Sequence, residues 1–442
     1  MATIDALAPS GTQPSEDDLT GKDIMRFHSA RGSNLMTRND AYLAWRSART
    51  DAGLWPYFRR YTTDLRARAT AVSARGRVTE GVNFGGQDYL SLSVHPDIHE
   101  AARKALADYG PLTAGSPALG GSTPVHQDLE HGLGQALERD QIILFPTGWA
   151  AGYGIIRALM HRGDHVLLDH LAHDSLRQGA GASGANVSYH KHLDATDARR
   201  RLADIRAHDT KGAILVVTEG VFSMDSDAPK LAELLATCRE FDAHLLVDVA
   251  HDFAAMGPGG TGQPGLQGVL SEVDLLVGAF SKSFATTGGF MATSSASAAA
   301  YTRMFGGPQT FSSALTPIQA AIAAAALAIA RSPEGDELRA RVAKVAQDLR
   351  SGMTERGLTV LGDVVCPVVP VLAGSTAVGR IASGLLEEHG VIAHLVEQPA
   401  VPSDAARFRL QAMADHTAED IRKAVDAVST CINQANEANQ AR

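Results

Sequence analysis

The sequence has few aromatic residues, few cysteines and no excess of positive charge. Aromatic residues make up 5% of its 442 residues, so we expect a core of aliphatic side chains and alanine. The three cysteines (Cys238, Cys366 and Cys431) lie far apart, which excludes a disulfide framework and a CxxC metal site and favours a reducing cytoplasm. The net charge of −9 excludes a dense basic stripe, and with it nucleic acid as the main partner.

The sequence also lacks a long apolar run. Its most apolar window, 320–330, is alanine-rich and about half as long as a membrane-spanning helix, so it predicts a buried helix. The first residues are acidic and polar, whereas a secretory signal is basic and then apolar. We therefore expect a cytoplasmic protein with no membrane span.

Short runs rich in Val, Ile and Leu alternate with helical patterns along the middle of the chain. Such runs, bounded by polar residues or glycine, are typical of strands buried on both faces of a sheet. They cover residues 141–145, 165–168, 213–217, 244–247 and 273–277. The alternation predicts an α/β fold in which helices cover both faces of a mostly parallel sheet.

The two ends of the chain have a different composition. Residues 1 to about 25 are typical of a flexible tail, and the charged, aromatic stretch 40–69 predicts a helical docking arm. A long helical region, 318–356, leads into shorter strands and helices. We predict three parts: an N-terminal tail and arm (1–80), a large domain (81–330) and a smaller α+β domain (331–442).

Polar side chains follow the predicted strands, at the sheet edge where open α/β folds bind ligands. Asp248 ends one strand, where a buried carboxylate requires a cationic partner, such as a protonated pyridine nitrogen. Lys282 follows the next strand in a loop of small residues, which favours a desolvated, nucleophilic amine. Taken singly, each has an ordinary explanation, a helix cap for Asp248 and a solvated loop charge for Lys282. Together they lie at one edge, a single crossover apart.

Further polar groups are predicted at the same edge. Thr147 and Gly148 begin a helix directly after a strand, and the free N–H groups of a helix start bind phosphate. His173 offers a ring that stacks on a flat cofactor, and Ser223 offers a hydroxyl to a ring oxygen. A phosphate at a helix start, an acid at a ring nitrogen and a lysine at an aldehyde together predict a pyridoxal phosphate site.

Three other motifs are weaker. Gly179–Gly184 matches the GxGxxG dinucleotide pattern, but a helix precedes it and a strand follows it, which reverses the required order. The glycine-rich stretch 257–265 lacks the Lys-Ser/Thr of a phosphate-binding loop. The pair His170 and His173 has no second cluster at zinc spacing, so we expect no metal site.

From about Asn83 to Asp426 the sequence resembles the α-oxoamine synthases, pyridoxal phosphate enzymes of fold type I. The motifs that carry the resemblance are, in chain order, NFGGQDYLSLSVHP, AGSPALGGSTPVHQDLE, FPTGWAAG, DHLAHDSL, TEGVFSMDSDAPKL, LLVDVAHDFAAMG, GAFSKSFATTGG and ARFRLQAMADHT. The resemblance implies a seven-stranded type of sheet, a homodimer, and decarboxylative condensation of an amino acid with an acyl thioester to give an α-amino ketone.

The resemblance also implies roles for single residues. Lys282 matches the Schiff-base lysine and Asp248 the partner of the pyridinium nitrogen. His251 and Ser223 match residues that bond the ring oxygen, and His173 matches the residue that stacks on the ring. His173 is also placed to polarise the thioester carbonyl.

The resemblance also implies contacts with the cofactor phosphate and with the amino-acid carboxylate. The backbone N–H groups of Gly148 and Trp149 match those that hold the phosphate, and Arg407 matches the arginine that holds the amino-acid carboxylate. The family often has a phosphate-binding threonine where this chain has Ala279. Hydroxyl groups that are candidates to replace it are Ser281, Ser283 and Thr286, or Ser312 and Ser313 from a second subunit.

Other departures from the family concern the substrates. Val249, Gly152 and Pro117 stand where the family often has an acid, an asparagine and an arginine. These changes and the N-terminal arm suggest a member of secondary metabolism, with the acyl group on an acyl carrier protein as an alternative to coenzyme A. An aminotransferase or an aldolase remains an alternative function. A non-catalytic subunit of a heterodimer is a weaker one, because such subunits lack the lysine.

Overall fold

The computed structural model describes residues 19–21 and 24–441, so the predicted tail lies almost entirely outside the described residues. The described residues form two compact units. The sheet unit comprises Gln87–Ala343 and Asp363–Pro367, and the terminal unit comprises the described residues up to Gly86, Lys344–Gly362 and the described residues from Val368 onward. This division differs from the predicted boundaries at 80 and 330, because the N-terminal arm and the C-terminal part belong to one unit.

Strands and helices alternate through most of the described residues. The strands are β1 (Arg60–Tyr61), β2 (Arg68–Val72), β3 (Val78–Asn83), β4 (Gln141–Phe145), β5 (His165–Asp169), β6 (Asn186–His190), β7 (Ile214–Glu219), β8 (His244–Asp248), β9 (Leu275–Ala279), β10 (Gly289–Thr293), β11 (Val368–Gly374), β12 (Val391–Ile392), β13 (His394–Val396) and β14 (Ala406–Gln411). The α-helices are α1 (Asp40–Asp51), α2 (Pro96–Tyr109), α3 (Pro124–Leu137), α4 (Gly148–Leu159), α5 (Asp174–Ser183), α6 (Ala195–His208), α7 (Leu231–Glu240), α8 (Gly262–Leu266), α9 (Ala296–Phe305), α10 (Gly307–Thr310), α11 (Pro317–Ala330), α12 (Pro333–Glu355), α13 (Thr376–Glu388) and α14 (Ala418–Gln440).

The sheet unit is built on a seven-stranded sheet with the order β4-β10-β9-β8-β7-β5-β6. Strands β5 to β9 pair in parallel, and β10 runs antiparallel to both β4 and β9. Every residue of β7, β9 and β10 is buried, as expected for strands covered by helices on both faces. The predicted α/β fold with a mostly parallel sheet is confirmed.

The strand ends lie slightly further along the chain than the apolar runs indicate. Glu219 is the last residue of β7, and Asp248 is the last residue of β8. The apolar residues end before each carboxylate, but Glu219 and Asp248 are still paired with each other as part of the two strands. Because β7 and β8 are parallel neighbours, both carboxylates reach the carboxyl edge of the sheet.

Two helical predictions need correction. The region 318–356 is two helices rather than one, because Pro333 begins a new helix after the break at 331–332. The stretch 40–69 is helical only to Asp51, since Gly53 adopts a left-handed φ of 73° and β1 and β2 follow.

The GxGxxG match lies at the end of α5, with Gly184 as its left-handed C-cap, and is therefore not a nucleotide loop.

The terminal unit joins the two ends of the chain. Its four-stranded sheet has the order β1-β2-β3-β12, and β12 pairs in parallel with β3, so that Val391 lies opposite Val82. A Cβ at Gly81 would lie 2.0 Å from the carbonyl oxygen of Gly390, so only glycine allows this approach. A three-stranded sheet, β11-β14-β13, completes the unit.

A buried ion network stabilises the terminal unit. The Glu397 carboxylate accepts hydrogen bonds from Arg380 at 2.6 Å and from the Tyr57 hydroxyl at 3.0 Å, and it lies 3.5 Å from Arg49. Burial, followed by the charge of Arg380, lowers the pKa of Arg49 to about 10.

Among the described residues, no helix is both long and apolar enough to span a membrane.

Candidate active site

A cavity of about 380 Å³ lies at the carboxyl edge of the large sheet, within the sheet unit. Its size suits a small-molecule ligand. Seven residues that the sequence predicts for the site line it: Gly148, Trp149, His173, Asp248, His251, Ser281 and Lys282. The cavity therefore unites segments that are as much as 134 residues apart in the sequence, from Gly148 to Lys282.

The other predicted site residues lie elsewhere. Ser223 is buried beyond the end of β7 and is not part of the cavity lining. Ser312 and Ser313 follow α10 and are in part exposed in this chain. Arg407 is buried on β14 in the terminal unit. The roles of these four residues stay predictions.

Two carboxylates stand side by side in the cavity. Glu219 and Asp248 occupy opposed positions on β7 and β8, and both are cavity-lining residues. Burial raises the pKa of both carboxyls, more strongly at Glu219, where the charge of Asp248 adds to it. The neighbouring His173 and Lys282 side chains oppose this rise at Asp248. Asp248 is therefore the more acidic of the two carboxyls.

Glu219 is a site residue that the sequence analysis missed. Its carboxyl accepts the backbone N–H of His173 at 2.7 Å, so it anchors the loop that follows β5. It ends β7 with one residue between it and the apolar run 214–217, much as Asp248 ends β8 after its own apolar run. This repeated placement is the signal that was available in the sequence.

A tyrosine in contact with the cavity residue His251 was also missed. The Tyr89 hydroxyl lies 2.9 Å from Nδ1 of His251, and both side chains are buried. Tyr89 belongs to the QDYLSLS segment that precedes the first helix of the sheet unit. This contact fixes the orientation of the His251 ring at the cavity wall.

The start of α4 forms the end of the cavity that suits an anion. The Thr147 side chain caps α4 by accepting the N–H of Ala150 at 3.0 Å, as predicted for a helix start. A Cβ at Gly148 would lie 2.4 Å from Cβ of Ala279, so the helix start can approach β9 only because both residues are small. Backbone N–H groups here, a carboxylate, a lysine and two imidazoles form a donor set that fits pyridoxal phosphate.

The departures from the family pattern have structural counterparts. Val249 is buried in the core. Asp252, four residues after Asp248, accepts the backbone N–H of Gln263 at 2.6 Å, and burial raises its pKa to about 7. A Cβ at Gly152 would lie 2.5 Å from Oγ of Ser175. Gly152 thus leaves room for that hydroxyl.

A charged histidine supports the loop before His173. Asp169 accepts the N–H of Leu171 at 2.9 Å and lies 2.8 Å from Nδ1 of His192, whose Nε2 lies 3.1 Å from Asp227. Burial lowers the pKa of His192, but hydrogen bonds to the two carboxylates outweigh burial and raise it to about 10. His192 is therefore an imidazolium at neutral pH.

We expect the stability contributed by His192 to decline as the pH rises. Its pKa is about 6.5 when unfolded and about 10 when folded, so the contribution is complete below pH 6.5 and is lost as the pH passes 10. Denaturant unfolding should show His192→Gln to be less stable than wild type at pH 6, by on the order of 2 kcal/mol after solvent screening. The difference should shrink by pH 10. The exposed control His208→Gln should show no trend, and a pH-independent difference for His192→Gln would contradict the prediction.

Comparisons with known proteins agree with this geometry. Residues 79–428 match the family model described as aminotransferase class I and II. A serine palmitoyltransferase of Sphingobacterium spiritivorum is 35% identical over 384 residues, which cover 87% of this chain and 93% of that protein. An 8-amino-7-oxononanoate synthase of Geobacter metallireducens is 36% identical over 346 residues, which cover 78% of this chain and 87% of that protein.

A solved structure shows the same fold. A serine palmitoyltransferase from S. paucimobilis, with bound PLP–myriocin aldimine, is similar with a TM-score of 0.85 and 26% identity, over 91% of this chain and 99% of that chain. Serine palmitoyltransferases and 8-amino-7-oxononanoate synthases are both α-oxoamine synthases. The chain therefore belongs to the aminotransferase class I and II family and, within it, to the α-oxoamine synthases.

Proposed function

We propose that the protein binds pyridoxal phosphate in this cavity and condenses an amino acid with an acyl thioester, releasing CO₂ and an α-amino ketone. The observation that carries the proposal is the convergence of Lys282, Asp248 and the helix start at Gly148 on one cavity. The similarity to two kinds of α-oxoamine synthase supports the reaction class.

Each cavity residue has a distinct role in the proposed reaction. Pyridoxal phosphate supplies an electron sink for a carbanion at the amino-acid α-carbon. The Lys282 amine holds the cofactor covalently and then takes the α-proton of the amino acid. The Asp248 carboxylate keeps a proton on the ring nitrogen. The N–H groups of Gly148 and Trp149 hold the phosphate, and burial at this sheet edge excludes water from the reacting groups.

The remaining predicted residues complete the proposed site. His173 would stack on the cofactor ring and His251 would bond the ring oxygen. Ser223 lies outside the cavity lining and would have to approach the ring oxygen to serve as its second partner. Ser281 replaces the missing threonine at position 279 as a phosphate ligand. Ser312 and Ser313 serve the phosphate of a second subunit in a homodimer, and Arg407 holds the amino-acid carboxylate through bidentate hydrogen bonds.

The acyl donor is the least constrained part of the proposal. The substitutions at Pro117, Gly152 and Val249 alter segments near the substrates, which supports a cytoplasmic enzyme of secondary metabolism whose acyl group rides on a carrier protein. High activity with free glycine and short acyl-CoA would contradict this.

An assay with two substrate panels tests the proposed function. Purified protein loaded with pyridoxal phosphate is incubated with single amino acids and single acyl thioesters, carried on either coenzyme A or a carrier protein. We expect CO₂ and free thiol in equal amounts, only when both substrates are present, and a product whose mass equals the acyl group plus the decarboxylated amino acid. Release of a keto acid from the amino acid alone would instead identify an aminotransferase, and release of an aldehyde an aldolase.

A further inference from the structure

His173 is held at its ring and at its backbone by two residues that the sequence analysis did not single out. We propose that Ser175 and Glu219 are positioning residues that hold His173 as the tautomer with its proton on Nε2. The inference deepens the proposed function, on which its catalytic consequence rests.

Two contacts from Ser175 reach the same ring nitrogen. The backbone N–H of Ser175 donates to Nδ1 of His173 at 3.3 Å, and the Ser175 hydroxyl lies 2.8 Å from that atom. A nitrogen that accepts an N–H carries no proton of its own, so the proton of the neutral ring is on Nε2. The hydroxyl is then oriented as a second donor to Nδ1.

Glu219 holds the backbone from which this ring projects. Its carboxyl accepts the N–H of His173 at 2.7 Å from the end of the neighbouring strand β7. Glutamine has the same shape as glutamate and keeps a side-chain oxygen that accepts an N–H. An anchor that needs only this acceptor oxygen is therefore retained in Glu219→Gln.

Gly152 makes the Ser175 contact possible. A Cβ added there would lie 2.5 Å from Oγ of Ser175 and 3.2 Å from a methyl carbon of Leu176. Any larger residue at 152 displaces the hydroxyl from its place beside His173. Position 152 is thus coupled to the His173 ring through Ser175, although it lies on a different helix, α4.

The Nε2–H group is the useful one for the proposed reaction. His173 lines the cavity together with Glu219, Asp248 and Lys282. A donor at a fixed position stabilises negative charge that develops on the carbonyl oxygen of an acyl group under attack. An Nδ1–H tautomer would lose the hydrogen bond from the Ser175 backbone N–H and would turn an acceptor toward that oxygen.

The tautomer can be observed without any turnover. Solid-state ¹⁵N NMR of holoprotein labelled at histidine, with His173→Gln to assign the signals, should show an unprotonated Nδ1 and a protonated Nε2 for His173 in the wild type. A protonated Nδ1 and bare Nε2 would overturn the proposal, whether or not the protein catalyses condensation.

A double-mutant cycle tests the coupling. Ser175→Ala and Gly152→Ala should each lower kcat about tenfold, with KM and the Kd for pyridoxal phosphate changed no more than about threefold. The double variant should be no worse than either single variant. Ser183→Ala, which removes a buried hydroxyl further along α5, serves as the matched control and should leave kcat unchanged.

The outcomes separate the two proposals. Suppose that the wild type condenses its substrates. If Ser175→Ala then has the wild-type kcat, or if the kcat losses of Ser175→Ala and Gly152→Ala multiply in the double variant, the positioning role is wrong and the proposed function stands. If the wild type forms no product with any substrate pair, the proposed function fails and the NMR result alone decides the tautomer.

A second pair of variants tests the backbone anchor. Glu219→Ala should lower kcat about tenfold, and Glu219→Gln should recover most of that loss, because the amide oxygen still accepts the His173 N–H. Equal impairment of both variants would show that the carboxyl itself is required, which overturns the assignment of Glu219 as an anchor.

Discussion

Replacing Lys282 with alanine is expected to reduce condensation by at least about 10⁴-fold, the scale seen when a covalent catalyst is removed. The amine follows β9 at the carboxyl edge of the sheet and lines the cavity with the acid pair of Asp248 and Glu219. Its loss removes both the covalent link to the cofactor and the base for the α-proton. Cofactor held only by hydrogen bonds should also dialyse away faster.

Borohydride reduction and mass analysis provide the measurement for Lys282. Reduction of wild-type holoprotein should add the cofactor mass to the peptide that contains Lys282, and Lys282→Ala should show no modified peptide. Lys230→Ala, which removes an exposed amine paired with Glu233, is the matched control and should keep full activity. Modification of any other lysine in the wild type would refute the assignment.

The second large effect is expected from Asp248→Asn, which should lower kcat about 10³-fold while the protein still folds. Asp248 is half-buried at the end of β8 and is the more acidic member of its pair with Glu219, so its carboxylate is the one suited to keep a ring nitrogen protonated. Asparagine retains the shape and loses the charge. The variant should bind pyridoxal phosphate but lose the ability to stabilise a carbanion.

A cofactor analogue distinguishes charge from structure at Asp248. Pyridoxal phosphate methylated at the ring nitrogen has a permanent positive charge and should restore the activity of Asp248→Asn at least tenfold, without improving the wild type. Asp274→Asn is the control, because Asp274 pairs with Arg239 just before the start of β9, at the opposite end of that strand. No recovery with the analogue would mean that Asp248 acts through packing or hydrogen bonding.

Much of the sheet unit was predictable because its strands are buried on both faces. Burial of this kind requires runs such as 142–145 and 245–247 to be apolar, and the residues after them carry the chemistry. Asp248 and Lys282 were therefore found from strand ends alone. Their neighbours along the chain are small or apolar, which made the two charges conspicuous.

Other features depend on contacts that the sequence pattern does not encode. Glu219 acquires its role only when β7 and β8 lie side by side, and Ser175 only when its hydroxyl meets the His173 ring. The hydroxyl at Tyr89 likewise depends on the distant His251. The Glu219 and Tyr89 contacts join residues that are 46 and 162 positions apart, so local periodicity carries no information about them. The Ser175 contact is local, but it depends on how the two side chains are oriented, which periodicity does not encode either.

The make-up of the terminal unit was missed for a related reason. Val82 and Val391 pair in one sheet, yet nothing local to either segment indicates its partner. The helical arm was overextended because its charged residues after Asp51 suit a helix as well as a strand. The helix ends near Gly53, which has a left-handed φ, and residues 68–72 form a strand because they pair with β3.

The pairing of β3 with β12 has a consequence for the newborn chain. At a synthesis rate of about 5–20 residues per second, the roughly 300 residues between these strands take about 15–60 seconds to emerge from the ribosome. During that interval the arm has already emerged from the ribosome. One edge of β3 is then unpaired, and Arg49 has not yet met the Glu397 carboxylate. The arm and β3 are thus synthesised long before the strand that completes their sheet, and this part of the terminal unit completes its pairing late.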